Sequence, residues 1–161
     1  MEGENVLFNG KEGNNNEVDF INSNFTTQLA LSYAPGIKAG FPSPAEAYEV
    51  DVLDFNKDMI RHPDTTFYGR VRGDSMIDAG ICDGDILVID RSLSPGNGDV
   101  VVAYYDNKFT VKFFDNSHVE DGYIDLVPAN KDYSPIRITA DDRMTIWGVV
   151  QYTIKNWHAH R

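Results

Sequence analysis

Short runs of strand-forming residues, separated by clusters of turn-forming residues, fill the chain from Thr66 onward and constrain its fold more than any other feature. Val, Ile, Thr and aromatic residues dominate the runs, whereas Gly, Pro, Asn and Asp lie between them. The runs are TFYGRVRG, DILVID, VVVAYY, FTVKFF, GYIDLVPA, PIRIT and MTIWGVVQYTI. The short turn Asp106-Asn107-Lys108 between two of these runs predicts a tight hairpin. Many short strands joined by turns predict a mostly β domain.

The segment upstream of this domain has a different composition. Gly, Asn and Glu dominate residues 1–25, which are therefore predicted to be disordered. Residues 25–34 are mixed and are compatible with an extended or a weakly helical conformation. Residues 45–62 are compatible with a short helix, which Pro63 would end. We therefore expect a flexible arm ahead of the β domain.

A proline-rich connector joins this arm to the domain. Pro35, Pro42 and Pro44 prevent a continuous helix or a central strand, which favours an exposed segment. Ala39-Gly40 within the connector is a small, unhindered peptide bond. Such a bond is a plausible substrate for a peptidase.

The charge of the chain argues against direct binding to DNA. The formal net charge is −11, and the densest basic group, RVR at Arg70 to Arg72, has two arginines. Duplex DNA is a dense line of phosphates, which proteins bind with clustered Lys and Arg. We therefore expect no direct specific DNA binding, and an acidic surface better suited to protein partners.

Cysteine content and hydropathy favour a cytoplasmic protein. The only cysteine, Cys82, cannot form an intramolecular disulfide, which favours a reducing compartment. No apolar run approaches the roughly 20 residues needed to span a bilayer. The acidic, Asn-rich N-terminus lacks the basic and apolar regions of a secretory signal. We therefore expect a soluble, cytoplasmic protein that does not associate with a membrane.

Ser75 lies in VRGDSMIDAGICDGD and is either a turn residue or a nucleophile. A serine nucleophile needs a base to take its proton and donors to stabilise the oxyanion. Histidine is the usual base, but the positions of the histidines favour surface residues with no metal or cofactor. They are His62, His118, His158 and His160.

Lysine is the other base known to serve a serine. It must be neutral to do so, which requires burial or a cationic neighbour because its ordinary pKa is about 10.4. Lys112 lies in the apolar run FTVKFF, where strand alternation places Thr110 and Phe114 on the same face. The alternative is an edge-strand lysine that discourages aggregation. The strand alone leaves both interpretations open.

Ser75 and Lys112 together are more specific than either residue alone. The blocks GDSMIDAGICDGDILVID and GDVVVAYYDNKFTVKFF resemble the self-cleaving Ser/Lys peptidase family that includes the LexA repressor and UmuD, and most closely its UmuD branch. GFPSPAEAY, HPDTTFYGRVRGDSM and PANKDYSPIRIT extend the resemblance, in the same order, over about residues 34–150. The separation of Ser75 and Lys112 is also similar to that in the family.

The resemblance implies a role for each matching residue. Ser75 would be the nucleophile and Lys112 the general base. The backbone amides of Asp74 and Ser75 would form the oxyanion hole. The bond cleaved would be Ala39-Gly40, so the substrate would be the chain itself.

The same resemblance implies an architecture and a set of partners. Cleavage would remove a flexible arm, residues 1–39, from a LexA/signal-peptidase-like β domain, residues 40–161. The family further implies a homodimer, stimulation of cleavage by the RecA filament on single-stranded DNA, and association with a Y-family, UmuC-like polymerase subunit. The implied function is that of an SOS-response protein whose processed form is an accessory subunit of an error-prone translesion DNA polymerase.

Three other functions remain open at this point. A LexA-like or phage-type self-cleaving repressor needs a helix-turn-helix domain, for which residues 1–38 are too short and too acidic. A processing peptidase resembling signal peptidases needs a membrane anchor, which no apolar run supplies. A catalytically silent β domain for protein binding is disfavoured by the presence of Lys112.

Overall fold

The protein is built around one curled antiparallel sheet. A computed structural model describes residues 18–21, 30–33 and 51–158. Eight strands form the main sheet in the order β1-β4-β5-β10-β6-β7-β8-β9, and β2 pairs with β3 in a separate sheet. The strands are β1 (Val18–Ile21), β2 (Ala30–Tyr33), β3 (Asp51–Asp54), β4 (Thr66–Val71), β5 (Ile86–Asp90), β6 (Val100–Tyr105), β7 (Lys108–Asp115), β8 (Tyr123–Val127), β9 (Ile136–Thr139) and β10 (Met144–Ile154). The helical segments are α1 (Phe55–Asp58) and three 3-10 turns (Pro63–Thr65, Ile77–Ala79 and Val119–Asp121). The predicted mostly β fold is confirmed.

The hairpin between β6 and β7 has a two-residue turn. Asp106 and Asn107 have φ angles of 49° and 61°, in the left-handed region that Asp and Asn tolerate better than most residues. Tyr105 pairs with Lys108 across the turn. Two left-handed residues in succession are typical of a type I′ turn, whose twist matches that of the paired strands. The predicted hairpin is confirmed, and it fixes the register of Lys112.

Apolar side chains pack in two clusters on the sheet. The first core cluster consists of Val18, Val71, Met76, Ile81, Leu87, Ile89, Val102 and Val111. The second consists of Val101, Ala103, Phe114, Leu126, Ile138 and Val149. Strand β7 contributes Val111 to the first cluster and Phe114 to the second, so apolar packing covers both of its faces.

Residues 18–21 form strand β1, so the predicted disorder is wrong for this segment. Val18 is 1% exposed within the first core cluster, and Phe20 packs against that cluster. Their two-residue spacing is the alternation of a strand with one buried face. The surrounding Asn and Gly residues lower the average hydrophobicity of the region, which is why its composition indicated disorder.

Within the described residues, the short helix predicted for residues 45–62 is confirmed only for the single turn α1, because residues 51–54 form strand β3 instead. Strand β3 pairs antiparallel with β2, which lies about twenty residues earlier in the chain. A long-range partner of this kind stabilises the strand and leaves no trace in local periodicity. The extended alternative for residues 25–34 is confirmed for the four residues of β2.

Asp90, at the end of β5, accepts a cluster of hydrogen bonds. Its carboxylate lies 2.6 Å from His62 Nδ1 and accepts bonds from Thr65 Oγ1 at 3.0 Å and Ser92 Oγ at 2.7 Å. The residue is only 4% exposed. Burial raises the pKa of Asp90, but the hydrogen bonds from His62, Ser92 and Thr65 outweigh it and hold the pKa at about 2.

We expect this cluster to make the stability of the fold depend on pH in the acid range. Because the pKa of Asp90 is lower in the folded protein than in the unfolded chain, the stabilisation is complete above about pH 4 and is lost as the pH falls towards 2. The loss amounts to about 2 kcal/mol in the free energy of unfolding. Urea titrations across this range measure it. In Asp90→Asn, the free energy of unfolding should depend less steeply on pH. An unchanged dependence would contradict the assignment of this acid effect to Asp90.

Candidate active site

Ser75 lies in a tight loop that leaves β4 and returns to β5. The Val71 N–H donates a hydrogen bond to the Asp85 carbonyl at 2.8 Å, which closes the base of the loop. Gly73 has a φ angle of 88°, a conformation that residues with side chains rarely adopt. The next side chain after Ser75, Met76, is buried in the first core cluster. The core therefore anchors the loop, and Ser75 itself is only 6% exposed.

Lys112 reaches Ser75 from β7. Its Nζ donates hydrogen bonds to Ser75 Oγ and Thr110 Oγ1, both at 2.8 Å, and to the Val111 carbonyl at 2.9 Å. Lys112 is 3% exposed, whereas an edge-strand lysine that discourages aggregation keeps its charge in water. The edge-strand interpretation is therefore wrong. Two residues that are 37 positions apart in the chain meet at one buried point.

The distance between Ser75 and Lys112 suits a nucleophile and its base. Such a pair must lie within about 2.6–3.2 Å for the proton to pass, and the Nζ–Oγ distance of 2.8 Å falls in that range. Burial disfavours the charged form of an amine. A neutral Nζ at this position can accept the hydroxyl proton, so the arrangement is chemically able to activate Ser75.

The loop after β8 holds the serine turn in place. The Ala129 N–H donates to the Ser75 carbonyl at 2.9 Å. The Tyr133 hydroxyl donates to Asp74 Oδ1 at 2.6 Å, and Asn130 Nδ2 donates to the Asp74 carbonyl at 3.0 Å. Sequence reasoning missed these positioning contacts. The only signal was the block PANKDYSPIRIT, which carried the family resemblance but did not indicate what its residues touch.

The serine turn contributes two backbone N–H groups, those of Asp74 and Ser75. Within the described chain, the N–H groups of Asp74 and Ser75 donate no hydrogen bond to another protein atom. An oxyanion hole consists of such donors, fixed in advance next to the nucleophile. These amides are therefore available for the role that the family resemblance implies.

A second lysine ties β10 to the base of the serine loop. Lys155 Nζ lies 2.5 Å from Asp85 Oδ2, and the same carboxylate oxygen accepts a hydrogen bond from the Cys82 N–H at 2.9 Å. Asp85 is 2% exposed. The hydrogen bond to Asp85 raises the pKa of Lys155, which keeps this lysine charged at neutral pH. The pair is a second attachment of the loop, in addition to the bond from Ala129.

The structure does not place the other residues considered in the sequence analysis beside Ser75. Ala39 and Gly40 fall outside the described residues, as does His160. His62 contacts Asp90, and His118 Nδ1 lies 3.2 Å from Asp121, so neither histidine serves Ser75. The described segments contain no group of three His, Cys, Asp or Glu residues that could hold a metal ion. No helix among them is long and apolar enough to cross a membrane.

Comparison with known proteins identifies the family. The sequence profile of peptidase S24-like proteins matches residues 32–151, a span that includes both Ser75 and Lys112. The chain belongs to the peptidase S24-like family. Protein MucA of Salmonella typhimurium is 43% identical to this S24-like chain over 123 residues, which cover 76% of the chain and 82% of MucA. Protein SamA of the same species, strain LT2, is 40% identical over 112 residues, or 70% of the chain and 75% of SamA.

Membership of the S24-like family confirms the predicted resemblance. MucA and SamA are UmuD-like, and this S24-like protein is accordingly a UmuD-type SOS protein of the self-cleaving serine peptidase kind. It belongs to the translesion polymerase system. The LexA repressor of Clostridium perfringens is 40% identical over 100 residues, which cover only 48% of the repressor, so the repressor alternative has weaker support.

Proposed function

We propose that this UmuD-type SOS protein cuts its own chain at Ala39-Gly40, with Ser75 as the nucleophile and Lys112 as the general base. The observation that carries the proposal is the buried 2.8 Å hydrogen bond between Lys112 Nζ and Ser75 Oγ. Nζ also donates to the Thr110 hydroxyl and the Val111 carbonyl, and Lys112 is 3% exposed. Burial favours the neutral form of an amine, which is the form that acts as a base.

Each step of the reaction uses groups at this point. Lys112 takes the proton from Ser75 Oγ, and the oxygen attacks the carbonyl carbon of Ala39. The N–H groups of Asp74 and Ser75 stabilise the resulting oxyanion. Lys112 then returns the proton to the departing amine of Gly40, which leaves an acyl-enzyme. Water, deprotonated by Lys112, hydrolyses this ester and frees the carboxylate at residue 39.

The substrate is part of the chain, which favours a slow but specific reaction. Holding the connector beside Ser75 makes the attack intramolecular and raises the effective concentration of the bond. Cleavage separates an arm of residues 1–39 from a domain of residues 40–161. The processed domain, as a homodimer, then joins a Y-family, UmuC-like polymerase subunit. The RecA filament on single-stranded DNA stimulates the cleavage, which links it to DNA damage.

We expect self-cleavage to accelerate as the pH is raised. The base must be neutral, and the neutral fraction of a lysine grows up to roughly tenfold for each tenfold fall in proton concentration. Incubation of the purified protein at about pH 7, 8, 9 and 10, followed by mass spectrometry of the products, measures the rate. The expected product begins at Gly40. Absence of that product at every pH would overturn the proposed reaction.

We also expect RecA to accelerate cleavage near neutral pH. Purified RecA on single-stranded DNA with nucleotide is added to the protein, and the fragment that begins at Gly40 is quantified over time. Matched reactions lack either the DNA or the nucleotide and should stay at the basal rate. Equal rates in all reactions would overturn the link to the filament, while alkaline self-cleavage would still test Ser75 and Lys112 separately.

A further inference from the structure

Strand β1 occupies the outer edge of β4 as an extended peptide. All four of its residues pair antiparallel with β4, from Val18 opposite Val71 to Ile21 opposite Tyr68. The other edge of β4 pairs with β5. Without β1, β4 would therefore be the exposed edge of the main sheet. Exposed strand edges are common sites for binding extended peptides.

The β4 edge has a pocket that the Val18 side chain fills. The side chain is 1% exposed within the first core cluster. It lies against Gly69, where an added Cβ would stand 2.5 Å from Val18 Cγ1. Such a distance is sterically excluded, so glycine at this position leaves the space that the valine fills.

The next two residues of β1 are held as well. The ring of Phe20 packs edge-on against Phe109 at 4.7 Å between centroids, and tilted against Trp147 at 4.1 Å. Asp19 Oδ2 accepts a hydrogen bond from Arg72 Nε at 2.6 Å. The edge thus selects an apolar residue, an acidic residue and an aromatic residue in succession. The selection combines backbone pairing with side-chain pockets, as in peptide recognition by strand addition.

Because of its position in the chain, β1 is covalently linked to the domain that contains β4 only until the chain is cut. It lies upstream of Ala39-Gly40, whereas β4 lies downstream. The cut that we propose therefore breaks the covalent link between β1 and the domain that binds it. A tethered segment has an effective concentration in the millimolar range, which sustains even weak binding. A separate fragment has only its own concentration, which is far lower for a protein at micromolar levels.

We propose that the β4 edge, with the pockets for Val18 and Phe20, is a strand-binding site whose ligand is the chain's own segment 18–21. Cleavage makes this ligand able to dissociate. The inference rests on the proposed function for the position of the cut. It adds a defined binding site beside the serine loop. That site is filled in the intact chain and is open to an extended segment of the same apolar–acidic–aromatic type after cleavage.

The test cuts the full chain without using its own chemistry. The protein carries Ser75→Ala, Trp157→Phe and a recognition sequence for an added protease at positions 39–40, so that Trp147 is the only fluorophore of its type. After the cut and gel filtration at about 1 µM, the arm should elute apart from the domain and Trp147 emission should shift to longer wavelength. A synthetic peptide of residues 15–24 at up to a few millimolar should reverse the shift with saturation.

Peptide variants provide controls that cannot disturb folding of the domain. Val18→Asp and Phe20→Ala peptides should each bind at least tenfold more weakly than the unmodified peptide. An arm that still elutes with the domain at about 1 µM would overturn the dissociation. A Trp147 emission that responds neither to loss of the arm nor to the peptide would overturn the site. If Ser75 does not cleave the chain, the defect appears in the unmodified chain. It does not affect this test, because the added protease makes the cut.

Discussion

Replacing Ser75 with alanine is expected to abolish the fragment that begins at Gly40, at neutral and at alkaline pH. The substitution removes the attacking oxygen, and loss of a serine nucleophile typically costs at least a thousandfold in rate. The fold should survive, because Met76 still anchors the loop and Lys112 Nζ keeps its bonds to Thr110 and Val111. Mass spectrometry measures the rate, and thermal unfolding checks the fold.

Ser92 offers a matched control for this substitution. It is also a serine in a loop beside a strand, but its hydroxyl bonds to Asp90 and His62. Ser92→Ala should therefore lower stability slightly and leave the rate of self-cleavage unchanged. An undiminished fragment in Ser75→Ala would overturn the assignment of the nucleophile.

Lys112→Met should also stop self-cleavage, and it should not lower the stability of the fold. Loss of a positioned general base costs about 10²–10⁴-fold in rate. Methionine fills a similar volume and brings no charge that must be desolvated. A lysine that is neutral when buried gives up its proton on folding, which costs free energy at neutral pH, and methionine avoids this cost. We therefore expect an inactive protein whose free energy of unfolding, measured by urea titration, is unchanged or higher.

Two further lysine variants test whether the loss of activity is specific to Lys112 and to its ability to act as a base. Lys108→Met changes an exposed lysine on the same strand and should leave the rate unchanged. Lys112→Arg keeps a cation that cannot give up its proton at physiological pH, so it should be inactive and also less stable. Self-cleavage at the normal rate in Lys112→Met would show that another group takes the proton of Ser75.

The strands were accessible from the sequence because they leave local signals. The β6–β7 hairpin follows from alternating apolar residues around Asp106 and Asn107, whose tolerance of left-handed backbone is intrinsic. The pairing of Ser75 with Lys112 came from the family's motif blocks, since neither residue was decisive alone. Burial of Lys112 could not be read from its own strand. It depends on the serine loop, which packs over β7 from a distant part of the sequence.

Features that depend on long-range contact were missed for the same reason. Val18 and Phe20 look like isolated apolar residues in a polar tail until β4 supplies Gly69 beneath them. The hydroxyl of Tyr133 has no evident function until the fold brings it within 2.6 Å of Asp74. Local propensity describes a segment by itself, whereas these positions acquire their role from the partner.

The central place of β10 in the sheet has a consequence for when the protein can act during its synthesis. Strand β10 lies between β5 and β6, so it joins the half that carries Ser75 to the half that carries Lys112. Translation delivers the chain from its N-terminal end at about 5–20 residues per second. The two halves cannot be joined through β10 until Met144–Ile154 has left the ribosome. We therefore expect the proposed self-cleavage to begin only after the whole domain has been synthesised.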